Sequence, residues 1–193
     1  MNGINWKPEL RIGFIGKHIA SGTKIQLTSC SGKGVINMAK IFDLLKKDHD
    51  EHRALLKKIA ETEGDSAERR SLFTEFREQV TAHANAEEQS LYAEMLSRPE
   101  LQDDGRHSVA EHKQLDDLLA ELDEMDMSSS GWLQKFKTLR HDYEHHIEEE
   151  EQDMFPAADE EFTAKCEERL GDIFADRFPK ELKSAEAGME HDD

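Results

Sequence analysis

From Met38 onward, apolar residues recur at steps of three and four positions, which is the spacing of amphipathic α-helices. The first such run is Ile41, Leu44, Leu45, Leu55, Leu56 and Ile59. The sequence shows no alternation of apolar and polar residues of the kind that marks β-strands. The pattern therefore predicts an all-α protein.

Turn and cap residues place the first two predicted helices. Helix one should run to about Glu63, because Gly64 interrupts the pattern. Asp65 or Ser66 can then cap helix two by accepting hydrogen bonds from the backbone N–H groups of its first turn. Helix two should stop before Pro99.

Two more helices follow within the same block. Helix three is predicted from about Ser108 to Met125, residues 128–131 (Ser-Ser-Ser-Gly) form a turn, and helix four is predicted to end at Pro156. Four amphipathic helices with short connections favour an antiparallel up-down-up-down four-helix bundle, here assigned to residues 38–156.

The two ends of the chain differ from this block. Residues 1–37 contain repeated glycines and short apolar pieces, which predict a poorly ordered, flexible N-terminal arm; alternatively, the natural chain starts at Met38. In residues 157–193, spaced apolar positions predict an additional C-terminal helix against the bundle, with a loose tail after Lys183.

Charge and cysteine content exclude several classes of protein. The net charge of -18, from 43 acidic and 25 basic residues, argues against binding nucleic acid or anionic membranes and suits a cation. Cys30 and Cys166 lie far apart without a CxxC pair, which fits a reducing cytoplasm. The sequence has neither an apolar run of roughly 20 residues nor a secretory signal. A cytoplasmic location is therefore expected, and oligomeric state stays open.

Two segments of the sequence repeat one motif. Residues 83–92 and 146–155 both read HxxxEE, followed by an apolar and then an aromatic residue. Four residues advance a helix by ~400°, so the histidine and the first glutamate of each motif share a face about one turn apart. One metal ion can use both side chains.

These polar residues lie on the apolar faces of their helices. The two stripes are Phe76, Val80, His83, Glu87 and Leu91, and Phe136, Leu139, Tyr143, His146 and Glu150. Burying an ionised glutamate without a partner costs several kcal/mol. A metal cation inside the bundle would remove that cost, so the pattern indicates a metal site.

Helices one and three each add a histidine to the same interior. On helix three, His112 falls in line with the apolar residues, whereas His107 points to the side. On helix one, His49 and His52 both lie near the apolar stripe, and both are candidates.

Helix four offers two HxxxE registers, because His145 and His146 are followed by four glutamates. At ~100° per residue, His146 and the glutamate four residues later lie near the apolar stripe, whereas His145 lies almost opposite it. His146 with Glu150 is therefore predicted to face inward, and His145 with Glu149 outward.

Several other polar residues receive simpler interpretations. Tyr92 and Tyr143 are interpreted as packing residues, and Glu148, Glu149 and Glu151 as surface charge. Asp116, one turn past His112, is interpreted as a solvated aspartate, with orientation of a metal-binding histidine as the alternative.

The order of these motifs resembles the hemerythrin HHE family of cation-binding domains, over residues 41–156. The matching succession is His49, His83-x-x-x-Glu87, His112 and His146-x-x-x-Glu150, with Asp48 before the first histidine and Met154-Phe155-Pro156 after the last motif. All six positions of the family's pattern are filled.

The resemblance implies two non-haem iron ions bridged by Glu87 and Glu150, with histidines and an exogenous ligand at the remaining positions. Imidazole and carboxylate also suit zinc or manganese, but two bridging glutamates favour iron. Oxygen-carrying hemerythrins use a fifth histidine and end their last motif with aspartate. Here His52 is the one possible fifth histidine and the motif ends with glutamate, which argues against simple reversible oxygen carriage.

The expected function is binding of dioxygen or a related small ligand, nitric oxide or peroxide, for sensing, scavenging or buffering. Two alternatives remain open at this point. One is a di-iron enzyme with peroxidase-like or catalase-like activity, or one that repairs iron–sulfur clusters under nitrosative stress. The other is iron storage or handling.

Overall fold

The computed structural model describes residues 40–189, and these residues form α-helices joined by short connections and two π-helical segments. The α-helices are α1 (Ile41–Glu61), α2 (Ala67–Glu87), α3 (Ala93–Leu96), α4 (Gln102–Asp123), α5 (Ser130–Glu149), α6 (Phe155–Glu161) and α7 (Ala164–Met189). The first π segment, Glu88–Tyr92, joins α2 to α3, and the second, Glu150–Met154, joins α5 to α6. This part of the chain contains no β-strand, so the all-α prediction is confirmed. The predicted arm, 1–37, lies outside the described residues.

Local residue chemistry sets the helix starts. Gly64 lies in the connection between α1 and α2 and has a φ of 59°. Glycine adopts this left-handed conformation without strain, so the chain can turn here. The Ser66 hydroxyl then accepts a hydrogen bond from Arg69 N at 3.1 Å. The Ser129 hydroxyl likewise accepts one from Trp132 N at 3.0 Å. Of the two cap candidates for helix two, Ser66 is therefore the N-cap.

Four long helices form the bundle, in the order α1, α2, α4 and α5. Each contacts the next along the chain, and α5 also contacts α1. His49 faces Glu150 whereas His52 faces Tyr143, so α1 and α5 run in opposite directions. The additional C-terminal helix, α7, packs along α1 and α2. No helix in the described part is long and apolar enough to span a membrane.

The bundle interior contains two apolar clusters with a polar layer between them. One cluster includes Leu45, Leu91 and Phe155, and the other includes Leu56 and Phe76. On α1, α2 and α5 the buried histidines and glutamates lie between residues of the two clusters. The polar layer is therefore enclosed by hydrophobic packing above and below.

Two predicted helix boundaries differ from the structure at exposed positions. Helix α4 begins at Gln102 rather than near Ser108, because the polar residues in between continue the helix without extending its apolar stripe. Helix α7 continues to Met189 instead of loosening after Lys183.

The predicted end at Pro156 is wrong, since the chain stays helical to Glu161. Proline lacks a backbone N–H and usually breaks a helix from inside. Here Pro156 lies in the first turn of α6, directly after a π segment, where its missing N–H is tolerated.

Candidate metal centre

Four histidines and two glutamates from four helices meet in the polar layer. They are His49 of α1, His83 and Glu87 of α2, His112 of α4, His146 of α5, and Glu150 at the start of the second π segment. Each is at most 5% exposed. The structure thus brings together all six residues that the sequence predicts as metal ligands.

The first half of the centre contains His49 and His83. Their Nε2 atoms lie 3.2 Å apart. His49 Nε2 is also 3.3 Å from Glu150 Oε2, and His83 Nε2 is 3.6 Å from Glu87 Oε2. Two imidazoles and one oxygen from each glutamate therefore surround a common point.

The second half repeats this arrangement with His112 and His146, whose Nε2 atoms lie 3.1 Å apart. His146 Nε2 is 3.4 Å from Glu150 Oε1, and His112 Nε2 is 3.7 Å from Glu87 Oε2. Each glutamate is therefore shared between the two halves, and Glu150 turns one oxygen to each.

The unpaired atoms of the centre show that a cation fits it. Both carboxylate oxygens of Glu87 and one of Glu150 are buried without a hydrogen-bond donor. Burial, together with the charge of Glu150, raises the pKa of Glu87 well above its usual range. A metal ion between the carboxylates would neutralise charges that the protein alone leaves unpaired.

The outer nitrogens of the histidines are held by a second set of carboxylates. Two of these directly follow the glutamates of the HxxxE motifs. His112 Nδ1 lies 3.0 Å from Glu88 Oε1, and His49 Nδ1 lies 2.8 Å from Glu151 Oε1. Glu151 is partly buried, so its interpretation as surface charge is wrong.

The other two outer carboxylates directly precede the single histidines of α1 and α4. His83 Nδ1 lies 3.4 Å from Asp48 Oδ2, and His146 Nδ1 lies 2.9 Å from Glu111 Oε2. An imidazole that donates its Nδ1–H to a carboxylate presents its Nε2 lone pair inward. In that tautomer all four inner nitrogens could serve as metal ligands, and facing lone pairs only 3.1–3.2 Å apart would favour a cation between them.

Sequence reasoning missed three of these outer carboxylates, Glu88, Glu111 and Glu151. A signal was present, because each HxxxE motif continues with a second glutamate and an acidic residue precedes both His49 and His112. Which acidic residue reaches which imidazole depends on helix packing, so the pairing needed the structure.

Burial favours the neutral imidazole form at two histidines of the centre, His49 and His112. It lowers the pKa of His49 well below its usual value and also lowers that of His112. Neutral imidazole is the metal-binding form. These two histidines therefore need not lose a proton to bind a metal near neutral pH.

The second histidine candidate on α1, His52, lies beside the six residues. It is 1% exposed, and its Nδ1 is hydrogen-bonded to the Tyr143 hydroxyl at 2.6 Å. The Tyr92 hydroxyl donates a hydrogen bond to Glu150 Oε1. Both tyrosines pack in the interior as expected, but they also belong to the polar network of the centre.

The two registers of helix four separate clearly in the structure. His146 and Glu150 are buried in the centre, whereas the side chains of His145 and Glu149 are 58% and 41% exposed. The structure therefore places the inward face of α5 where the sequence predicts it.

A small cavity adjoins the centre and has room for about one water-sized molecule. Its walls are Val80, His83, Ala84, His112, Leu115, Asp116, Tyr143 and His146. The cavity reaches histidines of both halves, so a small ligand in it would lie beside the whole centre. Asp116, another residue of this wall, is exposed as a residue, but neighbouring groups desolvate its carboxyl and raise its pKa to about 6, so the interpretation as a simply solvated aspartate is incomplete.

Comparison with known proteins agrees with this architecture. Residues 40–158 match the model of the hemerythrin HHE cation-binding domain. The chain belongs to this family, and the resemblance in its motifs is confirmed.

Relatives that share most of the chain occur in mycobacteria. The protein Rv2633c of Mycobacterium tuberculosis H37Rv and the protein Mb2666c of Mycobacterium bovis, both described as uncharacterised, are each 34% identical over 138 residues, 71% of this chain and 84% of theirs. The crystal structure of an HHE cation-binding domain-containing protein, an Rv2633c homolog from Mycobacterium kansasii, matches with a TM-score of 0.71 at 28% identity. That match covers 80% of this chain and 94% of the other.

Proposed function

We propose that this protein holds a pair of non-haem iron ions and binds dioxygen or a related small ligand, nitric oxide or peroxide, in order to sense, scavenge or buffer it. The observation that carries the proposal is the sharing of Glu87 and Glu150 between two histidine pairs. Two bridging carboxylates inside a helical bundle are typical of di-iron and di-manganese proteins.

The donor set supports iron above its rivals. Nitrogen and oxygen donors suit iron, manganese and zinc, whereas copper(I) and iron–sulfur clusters prefer thiolates, which the described centre lacks. A bound iron pair would supply a redox-active position for the small ligand. The chain would supply the two histidine pairs, the shared carboxylates and the dry surroundings.

The cavity supports a small ligand as the occupant. It has room for about one water-sized molecule, so a diatomic gas or peroxide fits its scale better than an organic substrate. Val80, Ala84 and Leu115 form its apolar wall, which favours an uncharged guest.

A second candidate function, turnover of peroxide, is favoured by the pair of Tyr143 and His52. Tyr143 lines the cavity, and its hydroxyl is hydrogen-bonded to His52 Nδ1. This pair can hold a proton at the edge of the cavity without direct access to water, which suits proton transfer to or from a bound peroxide.

The experiment is to expose iron-loaded protein separately to dioxygen, nitric oxide and hydrogen peroxide while recording absorption spectra and released oxygen. A binder gives a reversible spectral change with at least one ligand and no sustained oxygen release. Sustained oxygen release from peroxide that falls in Tyr143→Phe supports turnover instead. If iron-containing protein shows no spectral change and no oxygen release with any of the three ligands, both proposed functions are overturned.

A further inference from the structure

A second pair of HxxxE spacings lies on the outer surface of the bundle. His107 and Glu111 are four residues apart on α4, and His145 and Glu149 are four residues apart on α5. The buried centre uses the same spacing on α2 and α5. Each outer histidine therefore shares a helix face with its glutamate.

The two outer pairs converge where α4 and α5 pack together. His107 Nε2 lies 3.5 Å from Glu111 Oε1 and 3.7 Å from Glu149 Oε2. His145 Nε2 lies 3.8 Å from the other oxygen of Glu149. Potential ligand atoms of His107, Glu111 and Glu149 all lie within 4.8 Å of one another.

The Glu149 carboxylate supplies a second observation that favours a cation at this place. Its Oε2 atom is shielded from solvent and has no hydrogen-bond partner, although the side chain as a whole is 41% exposed. Among the described residues, the ion-pair contacts of Glu149 and Glu111 are with histidines rather than with lysine or arginine. An acidic pair of this kind lacks the usual counterion of a surface carboxylate.

We propose that His107, Glu111 and Glu149, with His145 as a fourth donor, form a separate solvent-facing site for one divalent transition-metal ion. Two imidazoles and two carboxylates suit zinc better than calcium or magnesium, which prefer oxygen donors alone. The histidines are 64% and 58% exposed, so an ion here exchanges with solvent more readily than one in the buried centre.

The site shares a side chain with the buried centre. Glu111 turns one oxygen toward His107, while the other accepts from His146 Nδ1 at 2.9 Å. A test of the outer site must therefore leave Glu111 unchanged. The side chains of His107, His145 and Glu149 form no hydrogen bond or ion pair with the six buried residues in the described part of the chain, which makes them suitable for substitution.

The test is calorimetric titration of iron-loaded full-length protein with zinc chloride, with iron measured before and after. The parent protein should take up about one zinc per chain while keeping its iron. His107→Ala and Glu149→Gln should weaken this uptake roughly tenfold or more, and His107→Ala with His145→Ala should abolish it. All these variants should keep the iron content of the parent, which shows that they fold.

His141→Ala is the control, because it removes another exposed histidine of α5 whose ion pair is with Asp142 rather than with Glu111 or Glu149; its ring lies 6.4 Å from that of His145, centre to centre. It should bind zinc like the parent. The proposal is overturned if the parent takes up no zinc, if zinc uptake is matched by iron release, or if His141→Ala weakens binding as much as His107→Ala.

Discussion

At the residue scale, Glu87 is the side chain whose surroundings most require a cation. It is 0% exposed, and neither of its carboxylate oxygens has a hydrogen-bond donor. Burial raises its pKa, and the charge that most raises it further belongs to another buried carboxylate, Glu150. An arrangement this unfavourable in the metal-free protein becomes favourable when a metal ion binds both groups.

Glu87→Gln should therefore have opposite effects with and without metal. The metal-free variant should unfold with the same free energy as the parent or one higher by about 1 kcal/mol, because glutamine removes a carboxyl whose raised pKa costs folding free energy at neutral pH. The iron-treated variant should lose iron and the stabilisation that iron gives. Thermal unfolding of both forms measures this, and a metal-free variant clearly less stable than the parent would contradict it.

The two registers of α5 give the second prediction at this scale. His146→Ala and Glu150→Ala should each strip or cripple the iron site, because both residues lie in the buried layer. His145→Ala and Glu149→Ala should leave iron content and the absorption spectrum close to those of the parent. If His145→Ala lost iron and His146→Ala retained it, the assignment of the inward face of α5 would be wrong.

At the scale of elements, the two HxxxE motifs run into π-helical segments at equivalent places. The first segment begins directly after Glu87, and the second begins at Glu150. Single π turns within α-helices occur frequently at functional sites. Each π segment changes the direction in which the side chains after the motif point. Tyr92, which follows the first motif, therefore packs inside and its hydroxyl reaches Glu150.

Much of this organisation could be predicted from the sequence, because stripes such as Phe76, Val80 and His83 have the period of a regular helix. The π segments could not be predicted, since they break that period without glycine. Pro156 indicates a helix end in the sequence, but the chain stays helical there because a π segment directly precedes the proline. The outer carboxylates depend on distances between helices, which a stripe on one helix does not specify.

The outer carboxylates give the prediction that belongs to this scale. Glu151→Gln should weaken iron binding roughly tenfold, because His49 Nδ1 loses the charged partner that orients it. Competition with a chelator of known affinity measures the change. Glu148→Gln, at an exposed position in the last turn of α5, is the control. Equal iron affinity in Glu151→Gln and the control would mean that this carboxylate does not support the centre.

At the scale of the whole molecule, the described fold extends beyond the residues that match the family. The match covers residues 40–158, whereas α7 (Ala164–Met189) continues beyond it. Helix α7 packs on α1 and α2, and the Phe174 ring lies edge-on to His83 with 5.6 Å between ring centres. In this protein, therefore, a helix outside the matched domain helps to enclose the centre.

The residues before the bundle give the prediction for this scale. A chain that starts at Met38 should fold and load iron like the full chain, because the six residues of the centre follow that position and the described residues 40–189 already build both apolar clusters around it. Circular dichroism and iron analysis of the truncated protein measure this. Loss of helicity or of iron would assign residues 1–37 a role that their sequence does not indicate.

The paired iron centre is tested most directly by the metal content of the full-length protein. Protein purified from cells grown with ample iron should contain about two irons per chain, because two histidine pairs share two carboxylates. Elemental analysis for iron, zinc and manganese on the same sample gives the answer. One zinc per chain and no iron would contradict the account.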